Sequence, residues 1–295
     1  MIDKDGSFLG VENSAASSEH HFCLIPFGLE KTVTFGAGTA FGPEKIIEAS
    51  QQVELFDMEF EAEVCHEYNF ETLLPEPIAA SLDDALSQIE GLAEKALNEN
   101  KIPIILGGEH SLTPGALRPF AHRFEQLTVV QFDAHCDLRD GYLGDNYSHA
   151  SAMRRCLDFP NVDVIMIGIR NVSQEEHQFV KTSNRVKMFT AFEPDWTQVA
   201  ATIAQLVQDK NVYISIDVDA FDPSIMPATG TPEPGGLSWG NVLELLRSVT
   251  QVANVRGADI VEHSPIDGFH ASDFLVAQLG YKLMSYIYRN AQRDQ

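Results

Sequence analysis

Six short runs of Val, Ile, Leu and Phe restrict the fold more than any other feature: residues 22–28, 103–106, 127–132, 162–169, 211–216 and 258–261. None alternates apolar with polar residues as a half-wet strand does, so each predicts a strand buried on both faces. Helical patterns separate most of them, at about 111–125, 174–182, 196–209 and 239–252, and 271–291 reads as a C-terminal helix. In 81–97, Leu82, Ala85, Leu86, Ile89, Ala93, Ala96 and Leu97 fall on one helical stripe behind Ser81, a suitable N-cap. This alternation predicts an α/β fold of three layers, α/β/α, around a mostly parallel sheet. An early Gly-rich stretch, TFGAGTAFGP, leads into a helix that begins with EKIIEAS, and its glycines do not match a dinucleotide fingerprint. No repeat or linker divides the chain, so residues 21–295 are read as one domain and the polar residues 1–20 as a flexible tail.

The charge narrows the partners. The chain carries 43 acidic against 20 basic residues, a formal −23. Nucleic acid and anionic membranes are disfavoured, because both require clustered Lys and Arg. A small cationic substrate or bound metal ions suit the charge, although net acidity also serves plain solubility. Cys23, Cys65, Cys136 and Cys156 form neither a CxxC pair nor a dense disulfide framework, and no signal-like or membrane-spanning stretch appears. A cytoplasmic location is expected.

The chemistry gathers where the strands end. The run at 103–106 leads into GGEH and His110. The run at 127–132 leads into Asp133, His135 and Asp137, that at 211–216 into Asp217 and Asp219, and that at 258–261 into Glu262. Ligands of parallel sheets bind at the C-terminal strand ends, so residues distant in sequence converge there. Residues two apart on an extended segment point the same way, which lets Asp133, His135 and Asp137, and likewise Asp217 and Asp219, share one site. Alone, a DxD is more often a turn or a cap, and His110 could be a core histidine. Four carboxylates and two imidazoles together would repel and resist burial unless cations offset them. Oxygen-rich ligation with one imidazole per ion suits Mn²⁺, with Fe²⁺, Co²⁺, Ni²⁺ or Zn²⁺ also possible. Between these aspartates, the Cys136 side chain is expected to point away into the core. Asp222 and Pro223 are expected to shape a turn, and His263 and His270 have no assigned role.

The segments GGEHS, FDAHCDLRD, SHASAMRR, SIDVDAFDPSIMPATGTPEPGGL and VEHSP, with TFGAGTAFGPEKI before them, resemble the ureohydrolases, the family of arginase and agmatinase. The likeness runs from about residue 22 through nearly all of the chain. It implies an arginase-like fold, two Mn²⁺ per subunit, hydrolysis of a guanidino group to urea and an amine, and assembly as a homo-oligomer, a trimer or hexamer. It further implies one ion held by His110, Asp133, Asp137 and Asp217, and the other by Asp133, His135, Asp217 and Asp219. It also implies three catalytic residues. Asp137 would aim the attacking water, Glu262 would orient the guanidinium, and His149 would hand a proton to the leaving amine.

The loop LRDGYLGDNY and the Ala after His149 resemble agmatinase rather than arginase, so agmatine, cleaved to putrescine and urea, is the expected substrate. Guanidinobutyrate, aminopropylagmatine, arginine and guanidine stand as alternatives. Asp140 or Asp145 could receive the distal amine, and Arg139 could instead meet a carboxylate. A non-catalytic metal-binding or regulatory homologue would have lost part of the set, whereas every position is filled. A deacetylase on a related fold would need only one catalytic metal.

Overall fold

A computed structural model describes residues 6–11, 20–193 and 195–291. Eight strands form one sheet: β1 (His21–Phe27), β2 (Asn69–Thr72), β3 (Ile102–Gly107), β4 (Leu127–Phe132), β5 (Val162–Ile169), β6 (Val186–Thr190), β7 (Asn211–Asp217) and β8 (Asn254–Val261). Their spatial order is β2-β1-β3-β8-β7-β4-β5-β6, and every neighbouring pair is parallel. The sheet is therefore wholly parallel rather than mostly so. The helices are α1 (Gly42–Ser50), α2 (Leu82–Asn98), α3 (Thr113–Arg123), α4 (Ala152–Cys156), α5 (Gln174–Thr182), α6 (Trp196–Val207), α7 (Trp239–Thr250) and α8 (Ala271–Ala291).

Alternation along each strand divides the core into two layers. In β4, Val130 and Phe132 pack with residues of α1, α6, α7 and α8, while Leu127 and Val129 join α3 and α4 on the other face. In β7, Val212, Ile214 and Ile216 face the first layer and Tyr213 the second. Both faces are covered by helices, as the lack of polar alternation required. Ser81 caps α2 as expected, its hydroxyl accepting the Asp84 N–H at 3.1 Å.

Two strands and a helix have no counterpart in the sequence reading. β2 and β6 are the edge strands, and most of their residues are only partly buried, so neither carries a continuous apolar run. α4 has five residues, too few to show a period. Within the stretch expected to hang as a tail, Phe8 and Leu9 are buried. The Phe8 N–H donates to Thr72 Oγ1 (3.0 Å) and the Leu9 N–H to Ser50 Oγ (2.8 Å). Residues 1–5 and 12–19 of that stretch lie outside the described residues. Among the described residues, no helix is long and apolar enough to cross a membrane.

Candidate metal centre

The four strands whose ends carry the candidate ligands, β3, β8, β7 and β4, are consecutive in the middle of the sheet. Neighbouring strands lie about 4.8 Å apart, so their ends span roughly 14 Å. After β3, His110 opens a single 3-10 turn (His110–Leu112). After β4 the backbone passes through Asp133 and His135 to Asp137. Asp217 ends β7, and Asp219 lies in the turn Val218–Ala220. Glu262 comes directly after β8. Asp137 and Glu262 sit at φ 52° and 64°, in the left-handed region that non-glycine residues seldom occupy. Such outliers concentrate where a side chain must be aimed.

Two groups share Asp133: His110, Asp133 and Asp137 form one, and Asp133, His135 and Asp219 the other. His110 Nδ1 stands 2.9 Å from Asp137 Oδ2, 3.2 Å from Asp133 Oδ2 and 3.4 Å from Asp217 Oδ2. His135 Nδ1 is 2.9 Å from Asp219 Oδ2 and 3.6 Å from Asp133 Oδ1. Backbone donors hold these carboxylates. The His135 N–H donates to Asp133 Oδ1 (2.6 Å), the Ala134 N–H to Asp219 Oδ1 (2.9 Å) and the Asp219 N–H to Asp217 Oδ1 (2.9 Å).

The chemistry of His110 tests whether cations fit. Its Nε2 meets Ser215 Oγ at 2.9 Å, and the Ser215 hydroxyl donates to Asp259 Oδ1 at 2.6 Å. Its one hydrogen being used there, Ser215 accepts from His110, which puts the ring hydrogen on Nε2. The other nitrogen, Nδ1, is buried, makes no hydrogen bond, and points its lone pair at three carboxylates. A lone pair among anions is repulsive unless a cation lies between them, and a ligating His ordinarily donates its second N–H to a partner in this way. The residues fit divalent metal ions.

In the protein alone, protons partly fill that role. Burial opposes charge on His110, but Asp133, Asp137 and Asp217 outweigh it and raise its pKa. At His135, burial is likewise outweighed by Asp219 and Asp133, and the pKa is pushed up to about 12. Burial, then the charges of Asp219 and Asp133, holds Asp217 well above the usual carboxylate range. Asp133 runs the other way: burial is outweighed by the two imidazoles, which hold it low.

A narrow cavity of about 170 Å³ opens onto these groups. His135, Asp137, Asp217, Asp219, His149 and Glu262 line it, with His110 and Asp133 packed beneath. All eight sequence-derived site residues thus come together. Burial raises the Glu262 carboxyl to about 8, and its Oε1 accepts the His110 N–H at 2.6 Å. Two Gly-containing loops, with residues 33–35 and 229–231 on the cavity wall, approach each other so closely that glycine is required. A Cβ on Gly36, at φ 64°, would stand 2.6 Å from the Gly230 carbonyl oxygen.

The suggested amine receptors are elsewhere. Asp140, with its side chain 71% exposed, pairs with Arg155 (2.9 Å) and Arg154 (3.6 Å). Asp145 accepts the N–H of Tyr147 within its own loop (2.8 Å). Arg139 does line the cavity, its guanidinium 5.0 Å from the Tyr142 ring centroid. Cys136 points away as expected, its Sγ 3.8 Å from Met188 Sδ in the outer core. Asp222 shapes its turn by accepting the N–H groups of Ser224, Gly235 and Gly236. His263 is a buried clamp between the Ala228 carbonyl and Asp273.

Supporting residues escaped the sequence reading. Asp259 accepts from Ser215, Tyr213 (2.8 Å) and Thr113 (2.9 Å), and Gln131 Nε2 donates to Asp133 Oδ2 (2.6 Å). Arg170 reaches the carbonyls of Asp219 (2.7 Å) and Glu233 (2.6 Å), tying the DxD turn to the Pro-rich loop. The only signal for them was a polar residue inside an apolar strand: Gln131, Ser215 and Asp259 each interrupt one.

A parallel sheet whose strand ends bring together two carboxylate–imidazole groups sharing one aspartate has the donor set that a hydrolase using two divalent metal ions requires. The arginase-family profile matches residues 20–285, and the chain belongs to that family. It is 36% identical over 290 residues to the N(1)-aminopropylagmatine ureohydrolase of Synechocystis sp., covering 95% of this chain and 93% of that protein. It is 34% identical over 245 residues to the agmatinase of Pyrococcus horikoshii, covering 82% and 83%. The crystal structure of the agmatine ureohydrolase of Thermoplasma volcanium superposes with a TM-score of 0.81 at 27% identity, covering 93% of this chain and 92% of that one. The protein is an enzyme that hydrolyses guanidino compounds.

Proposed function

We propose that the chain hydrolyses agmatine, or agmatine lengthened by an aminopropyl group, to urea and the corresponding polyamine. One observation carries the reading: the two carboxylate–imidazole groups share Asp133, and Glu262 and His149 line the same cavity. His110, Asp133, Asp137 and Asp217 would hold one Mn²⁺, and Asp133, His135, Asp217 and Asp219 the other. Such a pair of ions would supply Lewis acidity and make water more acidic at the site. Asp137 would accept a hydrogen bond from the attacking water and aim it. Glu262 pairs with the planar guanidinium N–H groups and turns the guanidino carbon towards that water. An amine leaves poorly unless protonated, and His149 delivers the proton to it. The names of the relatives support an amine-bearing tail.

A second reading has its own observation. Among the described residues no carboxylate lies within salt-bridge distance of Arg139 on the cavity wall, which favours a guanidino acid such as guanidinobutyrate. The test is urea release by metal-stripped protein, with and without Mn²⁺, from agmatine, aminopropylagmatine, guanidinobutyrate, arginine and guanidine. Mn²⁺-dependent urea from the first two supports the proposal. Urea only from guanidinobutyrate transfers it to Arg139, and no urea from any of them removes it. A cytoplasmic location and assembly as a trimer or hexamer belong to the same reading, and sedimentation velocity tests the assembly.

A further inference from the structure

Thr32 stands between a buried carboxylate and the cavity wall. Glu109, in GGEHS, is fully buried and has no part in the chemistry above. Its Oε2 accepts the N–H groups of Lys31 (3.0 Å), Thr32 (2.7 Å) and Val33 (3.0 Å). Its Oε1 accepts the hydroxyls of Ser111 (2.5 Å) and Thr32 (3.1 Å). Three of these partners are backbone N–H groups, which can only donate, and the two hydroxyls are placed as donors, so Glu109 serves as an acceptor at both oxygens. On its other side, Thr32 Oγ1 accepts the His149 N–H (3.0 Å) and lies 3.1 Å from His149 Nδ1. Three segments distant in sequence meet at this one hydroxyl.

A hydroxyl has one hydrogen and two lone pairs. The hydrogen of Thr32 goes to Glu109 Oε1, and one lone pair takes the His149 N–H. The remaining lone pair faces Nδ1, so Nδ1 must bring its own hydrogen. We infer that Glu109, through Thr32, holds His149 with a hydrogen always on Nδ1, leaving Nε2 as the atom that loses and regains the catalytic proton. The inference rests on the reading of His149 as proton donor. In that step Nε2–H gives its proton to the departing nitrogen while the C–N bond breaks and its electron pair goes to that nitrogen. The ring is left neutral, with Nδ1–H retained and a free pair on Nε2. A ring free to take the other tautomer would have no lone pair on Nε2 to be recharged. Thr32 and Glu109 are positioning residues: neither touches the substrate.

The test compares Thr32→Val with Thr32→Ser in Mn²⁺-loaded protein and reads kcat, KM and metal content. Proton transfer contributes about 10²–10⁴-fold, so Thr32→Val should lower kcat at least tenfold, with KM and metal content within about twofold. Thr32→Ser, which keeps the hydroxyl, should recover most of kcat. Neutron diffraction of the unmutated protein should show a deuteron on His149 Nδ1 directed at Thr32. A deuteron on Nε2 alone would overturn the inference, as would an undiminished kcat in Thr32→Val or an equal fall in Thr32→Ser. His149→Ala separates the two levels. Unaltered turnover there removes the proton-donor reading and this inference with it; lost turnover there beside an active Thr32→Val removes this inference alone. If Thr32→Val does not fold, the neutron map decides.

Discussion

Removing the Ser215 hydroxyl should weaken one metal position and spare the other. Ser215 Oγ accepts from His110 Nε2 (2.9 Å) and donates to Asp259 (2.6 Å). Ser215→Ala leaves the His110 N–H without an acceptor and takes from Asp259 one of its three hydroxyl donors. Each unpaired buried group costs about 1–3 kcal/mol. Much of that loss falls equally on the metal-free and metal-loaded protein, so it lowers stability without changing affinity. The part that changes affinity is the tautomer, since the ring hydrogen can now move to Nδ1, where a cation would bind. Loss of a partner behind a metal ligand typically weakens binding about 10–100-fold, or roughly 1.4–2.7 kcal/mol. The His135 group takes its positioning from Asp133 and Asp219 and does not use this hydroxyl. Mn²⁺ titration against a chelating dye, fitted to two positions, should show one weakened and one unchanged. Equal weakening of both, or of neither, would refute the reasoning.

The same geometry predicts three further outcomes. Arg170→Ala, and Arg170→Lys nearly as much, should cost about 2–4 kcal/mol in urea denaturation, because neither side chain can bridge the several carbonyls that the guanidinium joins. Gly108→Ala should destabilise by about 3 kcal/mol or prevent folding, since a Cβ there would lie 2.0 Å from the Leu29 carbonyl oxygen, and backbone cannot give way as a side chain does. In metal-free protein, Glu262 and His135 both have folded pKa values raised above their unfolded ones, to about 8 and about 12. The Glu262 contribution is complete below about 4.5 and lost as pH rises through about 8, and that of His135 declines from about 6.5 upward. The melting temperature of metal-free protein should therefore fall as pH rises across neutrality, while Mn²⁺, competing with those protons, should stabilise more strongly at higher pH; a flat or rising metal-free profile would contradict this.

Seven of the eight candidate site residues were readable because they sit just past the most legible strands, whereas His149, 17 residues beyond β4, came only from the family resemblance. An apolar run buried on both faces announces itself, and the side chains at its C-terminal end must face the site. The edges were hidden: β6 reads VKMFT, with only Val186 buried, and is indistinguishable by pattern from loop. The supporting shell was hidden for another reason. Thr32 meets Glu109 and His149 across 77 and 117 residues, and no local spacing encodes such contacts. Asp140 and Asp145 were ambiguous because a loop carboxylate looks the same in sequence whether it faces the site, a neighbouring arginine as Asp140 does, or its own loop's backbone as Asp145 does.

The central claim is that two cations share Asp133 and act together on a guanidino group. Its most direct test measures bound Mn²⁺ and urea formation from agmatine and aminopropylagmatine in the same titrated sample. The account predicts that urea formation stays low after the first equivalent, rises with the second, and reaches its maximum at two ions per chain, one for each of the groups that meet at Asp133. Full activity at a single ion per chain, or two bound ions and no urea, would contradict it.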